Sequence, residues 1–112
     1  MNKQKVIVVG GGGMVGSSAA YAMALTNVAE EIILIDRNSD LVWGQAADIN
    51  DGLGFDSGVE VKAGTYDDIA DDDIVVITAG APQIPGQTRL ELLGVNVKII
   101  RDIVSDIMKN GA

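Results

Sequence analysis

The sequence predicts an α/β fold: a parallel sheet with the element order β-α-β-α-β-β-α, truncated before a fifth strand. Short apolar runs alternate with segments of helical composition, and a glycine-rich segment joins the first run to the first helix. Most of the runs lack the polar alternation of a half-solvated strand, which is typical of strands covered on both faces. Strands and helices that alternate in this way form a parallel sheet with right-handed crossovers.

The first half of the chain is predicted to hold two buried strands, each followed by a helix. Residues 6–9 and 32–35 are uninterrupted apolar runs rich in β-branched side chains. Met14–Leu25 has helix-forming composition and precedes a Thr-Asn pair that suits a helix end. Ser39 suits the N-cap of a second helix. We expect that helix to end at residue 48 or 49, because glycines at 52, 54 and 58 indicate a loop.

The second half predicts an edge strand, a buried strand and a long helix. Residues 59–63 alternate polar and apolar side chains, which places this third strand at an edge of the sheet. Ile74–Ile77 is apolar throughout and is predicted as a fourth buried strand. After a loop, a helix is expected from about Thr88, where Glu91 completes a capping box. Its apolar positions at helical spacing predict one stripe: Leu92, Val95, Ile99, Ile100, Ile103, Val104 and Ile107.

Composition excludes several kinds of site and partner. The chain has 112 residues, with 8 Lys and Arg against 16 Asp and Glu, and this net charge of −8 disfavours nucleic acid. It contains no cysteine and no histidine, so we expect neither a disulfide framework nor a metal site. No apolar run reaches the roughly 18 residues that span a membrane. Since no signal peptide is apparent either, we expect a cytoplasmic protein with no membrane partner.

The most specific local motif is the glycine run between the first strand and the first helix. One register of it gives Gly11-x-Gly13-x-x-Gly16, a dinucleotide-binding pattern. The first glycine permits a tight turn, the second lets the backbone approach a pyrophosphate, and the third lets the helix pack closely on the strand. With Met14 and Val15, these glycines would present backbone amides to the phosphates at a helix N-terminus. The alternative is a flexible turn that binds nothing.

Asp36 follows Gly16 by 20 residues and comes at the end of the second predicted strand. A carboxylate there accepts hydrogen bonds from the adenosine ribose and disfavours a 2′-phosphate, so the predicted cofactor is NAD and not NADP. Arg37 could accommodate that phosphate, but we expect Asp36 to dominate. Together with the element order, these residues predict a Rossmann-like sheet. The alternative for Asp36 is a solvated strand end.

A second loop carries a resemblance to a known family. Residues 78–93 have the sequence TAGAPQIPGQTRLELL. This segment closely resembles the fourth strand and mobile active-site loop of the L-lactate/malate dehydrogenase family, and the resemblance covers essentially the whole chain. It implies an oxidoreductase of glycolysis and pyruvate fermentation that transfers a hydride between (S)-lactate or pyruvate and NAD(H). The family pattern has one residue fewer before the third glycine, so the register of residues 10–13 stays open.

The resemblance also implies roles for individual residues. Arg89 matches the arginine that swings in when the loop closes and polarises the substrate carbonyl, although its spacing alone would fit a solvated side chain. Gln83 lies at the position that sets substrate choice. Lactate dehydrogenases have Gln there, whereas malate dehydrogenases have an Arg that pairs with a second carboxylate. The resemblance implies further cofactor contacts by Thr78, Ala79, Gly80 and Asn96.

The family's chemistry also needs a histidine acid/base, an aspartate that orients it and a second arginine, all from later sequence. We therefore expect residues 1–112 to be the N-terminal part of the NAD-binding domain of a homo-oligomeric enzyme, a tetramer or a dimer. The isolated chain should be inactive, because it lacks the catalytic histidine. Four alternatives stay open: a malate dehydrogenase, an L-2-hydroxyisocaproate-type dehydrogenase, a non-catalytic NAD-binding module and a scaffold with no ligand.

Overall fold

The computed structural model describes residues 4–12, 14–37, 39–53, 58–70, 72–78 and 85–109. The predicted order of elements is confirmed, with a short 3-10 turn at Tyr66–Asp68 between the third and fourth strands. The elements are β1 (Lys5–Val9), α1 (Met14–Leu25), β2 (Glu31–Ile35), α2 (Ser39–Leu53), β3 (Glu60–Ala63), β4 (Ile74–Ile77) and α3 (Arg89–Lys109).

The four strands form one parallel sheet in the order β3-β2-β1-β4. In its register Val9, the last residue of β1, pairs with Ile35 on one side and Ile77 on the other. The carboxyl ends of the three strands therefore lie at the same edge of the sheet. The glycine turn leaves the sheet at this edge, which places it between the ends of β2 and β4.

Both faces of the two central strands are covered, as their uninterrupted apolar sequence predicted. Side chains of β1 and β2 alternate between a cluster packed against α1 and α2 and a cluster packed against α3. Ile7, Val8, Ile32 and Leu34 have no exposed surface. No helix among the described residues is long and apolar enough to cross a membrane.

The fourth strand is an edge strand, and its residues are less buried than the apolar run predicted. Ile74 is 52% exposed, and the other three residues of β4 are half-buried. Among the described residues only β1 pairs with it. An apolar run indicates that both faces of a strand can be covered, but it does not indicate whether another strand pairs with each of its edges. The other edge strand, β3, was predicted correctly.

Helix α2 continues to Leu53, beyond the end predicted at residue 48 or 49. Asn50 bonds its side chain to the backbone of Val61 and so ties the last turns of the helix to β3. Gly52 packs against the ring of Tyr21, where an added Cβ would lie 3.4 Å from Cε2. The glycine is a packing residue of the helix and not the start of a loop.

Helix α3 buries fewer apolar side chains than the predicted single stripe contains. Its start is confirmed, because the Thr88 hydroxyl accepts a hydrogen bond from the Glu91 amide at 3.1 Å. Ile103 and Ile107 are buried against the sheet, whereas Val95, Ile100 and Val104 are 40–44% exposed. A helix presents only a limited arc to one sheet face, so the wider apolar set could not all be covered there.

Candidate functional site

The glycine turn is joined to the end of β2 by a bulge. The carbonyl oxygen of Ile35 accepts hydrogen bonds from the amides of Gly10, at 2.7 Å, and Gly11, at 3.1 Å. Two successive turn residues just past the end of β1 thus share one carbonyl oxygen of β2, a bulge-like pairing. Gly10 has a φ of 95°, which glycine adopts without steric cost. The predicted register begins at the next residue, Gly11.

Two glycines of that register have no room for a side chain. A Cβ on Gly11 would lie 2.7 Å from Cβ of Leu34. On Gly16 it would collide with the carbonyl oxygen of Gly10 and lie 2.8 Å from Oγ1 of Thr78. These contacts match what the first and third glycines of a dinucleotide-binding turn must permit: a tight turn and close packing of helix on strand. Gly13 lies outside the described residues.

Thr78 supports the turn from the end of β4. Its amide donates to the carbonyl oxygen of Val9 at 2.8 Å. Its hydroxyl lies 3.2 Å from that oxygen and 3.4 Å from the carbonyl oxygen of Gly10, and its single proton can be donated to either. The side chain is therefore used to hold the glycine turn. Ala79 and Gly80, which were predicted to contact the cofactor with it, lie outside the described residues.

Asp36 comes directly after β2 and lies against the glycine turn. Its Oδ2 accepts a hydrogen bond from the backbone amide of Gly12 at 3.1 Å, and the side chain is half-buried. Met14 and Val15 form the first turn of α1, and Val15 is 69% exposed. The structure thus brings a helix N-terminus, a glycine turn and a carboxylate to one edge of the sheet.

The sequence analysis did not single out Tyr66, a half-buried residue that packs against the core cluster beneath α3. Burial raises the pKa of its hydroxyl, and the negative charge of Asp106 raises it further. The positive charge of Arg37 lowers this pKa, and the negative charge of Asp36 raises it. An aromatic residue in the connection that follows an edge strand was the available signal.

The residues assigned to the substrate side are only partly described. Arg89 is the first residue of α3 and its side chain is exposed. Asn96 lies seven residues further along the same helix and is half-buried. Gln83 lies outside the described residues. No distance between these side chains tests their predicted roles, which stay predictions.

The arrangement fits a dinucleotide. Phosphates bind where backbone amides converge at a helix N-terminus, and a ribose diol binds a carboxylate at the end of the next strand. A helix N-terminus and a carboxylate at the end of the next strand both occur here, with Gly11 and Gly16 packed too closely to carry side chains. Among the described residues there is no group of three or more acidic side chains that could hold a metal ion.

Comparison with known proteins identifies relatives of the whole chain. The family model for the lactate/malate dehydrogenase NAD binding domain matches residues 4–112. An L-lactate dehydrogenase of Priestia megaterium is 49% identical over 109 residues, which is 97% of this chain and 34% of that protein. A malate dehydrogenase of Haloarcula marismortui is 48% identical over 106 residues, 92% of this chain and 34% of that protein.

Solved structures show the same fold. A minor L-lactate dehydrogenase from Enterococcus mundtii in its ligands-bound form has a TM-score of 0.89 at 45% identity, over 97% of this chain and 35% of that one. A lactate dehydrogenase from a Medee basin deep-sea metagenome has a TM-score of 0.88 at 43% identity, over 99% of this chain and 35% of that one. The chain thus spans about a third of the length of the relatives that it matches.

Proposed function

Because the chain belongs to the lactate/malate dehydrogenase family and matches its NAD-binding domain, we propose that it is the cofactor-holding part of an L-lactate dehydrogenase. In that enzyme a hydride passes between (S)-lactate or pyruvate and NAD(H). The observation that carries the proposal is the carboxylate of Asp36, which the Gly12 amide holds against the glycine turn at 3.1 Å. This is the geometry in which a ribose diol can be bound and a 2′-phosphate disfavoured.

The proposed cofactor contacts follow the sheet edge. The N-terminus of α1 would bind the pyrophosphate, and Asp36 the adenosine ribose. The amides of Gly10, Gly11 and Gly12 donate to groups of the protein itself. The nicotinamide side of the pocket would be formed from the end of β4 and from α3. When bound, NAD(H) supplies the hydride acceptor or donor. The contacts to the pyrophosphate and the nicotinamide half are assigned to Gly11, Gly13, Met14, Val15, Gly16, Thr78, Ala79, Gly80 and Asn96.

The proposed substrate contacts rest on charge. In a pocket that excludes water, the guanidinium of Arg89 would stabilise the alkoxide that develops on the substrate as hydride arrives. Arg89 is the first residue of α3, and its side chain is exposed. Gln83 is neutral and suits a monocarboxylic substrate, because a second carboxylate would call for a cation.

Malate dehydrogenase is the second candidate. The relative of that name from Haloarcula marismortui is 48% identical to this chain, about as similar as the relative named L-lactate dehydrogenase from Priestia megaterium. Overall similarity therefore does not separate the two substrates. The neutral Gln83 favours lactate.

We further propose that the enzyme is a homo-oligomer and that it is located in the cytoplasm. On α2, Trp43 is 71% exposed and Leu41 is 45% exposed. Exposed aromatic side chains such as Trp43 are enriched where subunits meet. An enzyme that draws on the NAD pool works where that pool is, inside the cell. The isolated chain has no histidine to act as acid and base, so we expect no lactate oxidation from it.

A chimera tests the proposed substrate. This chain would replace the segment that it matches in the Priestia megaterium enzyme, and the chimera should reduce pyruvate with NADH. Gln83→Arg should shift its preference toward oxaloacetate, whereas Gln87→Arg, a matched change in the same connection, should not. A folded chimera that binds NADH and reduces oxaloacetate faster than pyruvate would favour malate dehydrogenase and contradict the proposal.

A further inference from the structure

Gly12 is the position that the glycine motif leaves unspecified, and the structure gives it two separate contacts. Its amide donates to Oδ2 of Asp36 at 3.1 Å. A Cβ on Gly12 would lie 3.1 Å from that same oxygen and 3.2 Å from Cγ and Cδ2 of Leu41. The residue therefore holds the carboxylate with its backbone and leaves the space that the carboxylate needs.

The bulge explains why this amide meets the carboxylate. The amides of Gly10 and Gly11 both donate to the carbonyl oxygen of Ile35. The next amide in the turn, that of Gly12, then meets the side chain of the next residue after Ile35, which is Asp36. A hydrogen bond to a charged carboxylate is stronger than one between neutral groups. The contact can therefore fix where the carboxylate lies.

We propose that Gly12 is a positioning residue that sets cofactor choice: by holding Asp36 in place, it favours NADH over NADPH. The inference rests on the proposed cofactor site. A fixed carboxylate can accept hydrogen bonds from both hydroxyls of an unphosphorylated ribose, and it repels a 2′-phosphate at the same place. A displaced carboxylate loses the hydrogen bonds and also repels the phosphate less.

The variant Gly12→Ala distinguishes this role in cofactor choice from a general effect on stability. The methyl group would press on the carboxylate of Asp36 and on Leu41, whose side chain is 45% exposed and can move aside. We expect Gly12→Ala to weaken NADH binding about tenfold, the size of one charge-assisted hydrogen bond. NADPH binding should weaken less, so the ratio of the two affinities falls. Damage to the whole site would weaken both cofactors equally.

The experiment is a double-mutant cycle measured by calorimetric titration of the 112-residue chain with NADH and with NADPH. It compares the unmodified chain, Gly12→Ala, Asp36→Ala and the double variant. If Gly12 acts through Asp36, its substitution should change NADH affinity by less than about twofold once Asp36 is alanine. Gly44→Ala is the matched control, because a Cβ on Gly44 would meet nothing within 4 Å. Its affinities should equal those of the unmodified chain.

Circular dichroism shows whether Gly12→Ala is folded. If it is not, Leu41→Ala is added to both arms, which removes one crowded contact and leaves the methyl group against the carboxylate. An equal loss for NADH and NADPH, or the same loss with and without Asp36, would overturn the inference. If the unmodified chain binds NADH and Gly12→Ala binds it equally well, only the role of Gly12 fails. If the unmodified chain binds neither cofactor, the proposed cofactor site fails as well.

Discussion

The side chain of Asn50 pairs with the backbone of Val61 as a neighbouring strand would. Nδ2 donates to the Val61 carbonyl oxygen at 2.7 Å, and the Val61 amide donates to Oδ1 at 3.0 Å. A residue of α2 thereby satisfies two backbone groups on the outer side of β3, the edge strand of the sheet. Exposed edges invite pairing with other chains, and this contact closes one of them in part.

Asn50→Ala should destabilise the fold by about 1–3 kcal/mol, because it leaves two partly buried backbone groups without these partners. The free energy of unfolding, measured by urea denaturation, checks this. Asp51→Ala removes the exposed neighbour on the same helix and should change stability by less than about 0.5 kcal/mol. Equal effects of the two substitutions would show that the contact has no energetic role.

Substitution by alanine should destabilise the fold at a crowded glycine and stabilise it at a glycine with open surroundings. At position 16 the new Cβ collides with backbone, so Gly16→Ala should cost at least about 2 kcal/mol. At position 94, inside α3, it meets nothing within 4 Å, so Gly94→Ala should stabilise by about 0.5–1 kcal/mol. Thermal unfolding of both variants measures this. A loss of stability in Gly94→Ala would contradict the open surroundings of that glycine.

Lys5 joins the start of β1 to the connection before β4. Its Nζ lies 3.2 Å from Oδ2 of Asp73, a carboxylate only 9% exposed, and donates to the carbonyl oxygen of Asp68 at 2.6 Å. Lys5→Met should cost about 1–3 kcal/mol, because it leaves the shielded carboxylate of Asp73 without its cation. Lys109→Met, which breaks the exposed pair with Asp106, should cost less than about 0.5 kcal/mol. Chemical denaturation of both variants compares the two, and a similar cost would refute the distinction.

Tyr66 should make stability depend on alkaline pH. Its pKa in the folded chain lies above the ordinary value of 10.0, mainly because of burial. The unfolded chain therefore loses the phenol proton first, so this contribution to stability is intact below pH 10.0 and is lost as the pH rises through the folded pKa. Tyr66→Phe should lose less stability than the unmodified chain between about pH 9 and 11. Denaturant titrations across that range measure the free energy of unfolding, with Tyr21→Phe as the matched variant. If this free energy falls equally with pH in Tyr66→Phe and in the unmodified chain, the prediction is contradicted.

Local patterns predicted those parts of the fold that depend on local sequence. The bounds of α1 and β4 were predicted as found, because composition and neighbouring turn residues determine them. The exposure of Ile74 depends on which strand lies next to β4, and the sequence of β4 does not indicate which strand that is. The length of α2 depends on the contact between Asn50 and Val61, which forms only when the helix has packed on the sheet.

The site was predictable to a similar extent. Spacing predicted Gly16 and Asp36 as cofactor contacts and NAD as the cofactor, whereas the second loop indicated the family; the individual contacts stay predictions. The role proposed for Gly12 was not predictable, because the motif allows any residue there and its contacts arise from the turn at Gly10. Tyr66 was missed because the shift of its pKa depends on burial in the folded chain.

Calorimetric titration of the chain with NADH, before and after Asp36→Ala, tests the proposed cofactor site most directly. We predict measurable binding by the unmodified chain and a loss of about 1–3 kcal/mol in the variant, because the hydrogen bonds to the ribose are removed. Asp72→Ala, an exposed aspartate in the turn before β4, is the charge-matched control and should bind as the unmodified chain does. No heat and no thermal shift at millimolar NADH, or an affinity unchanged by Asp36→Ala, would contradict the proposed site.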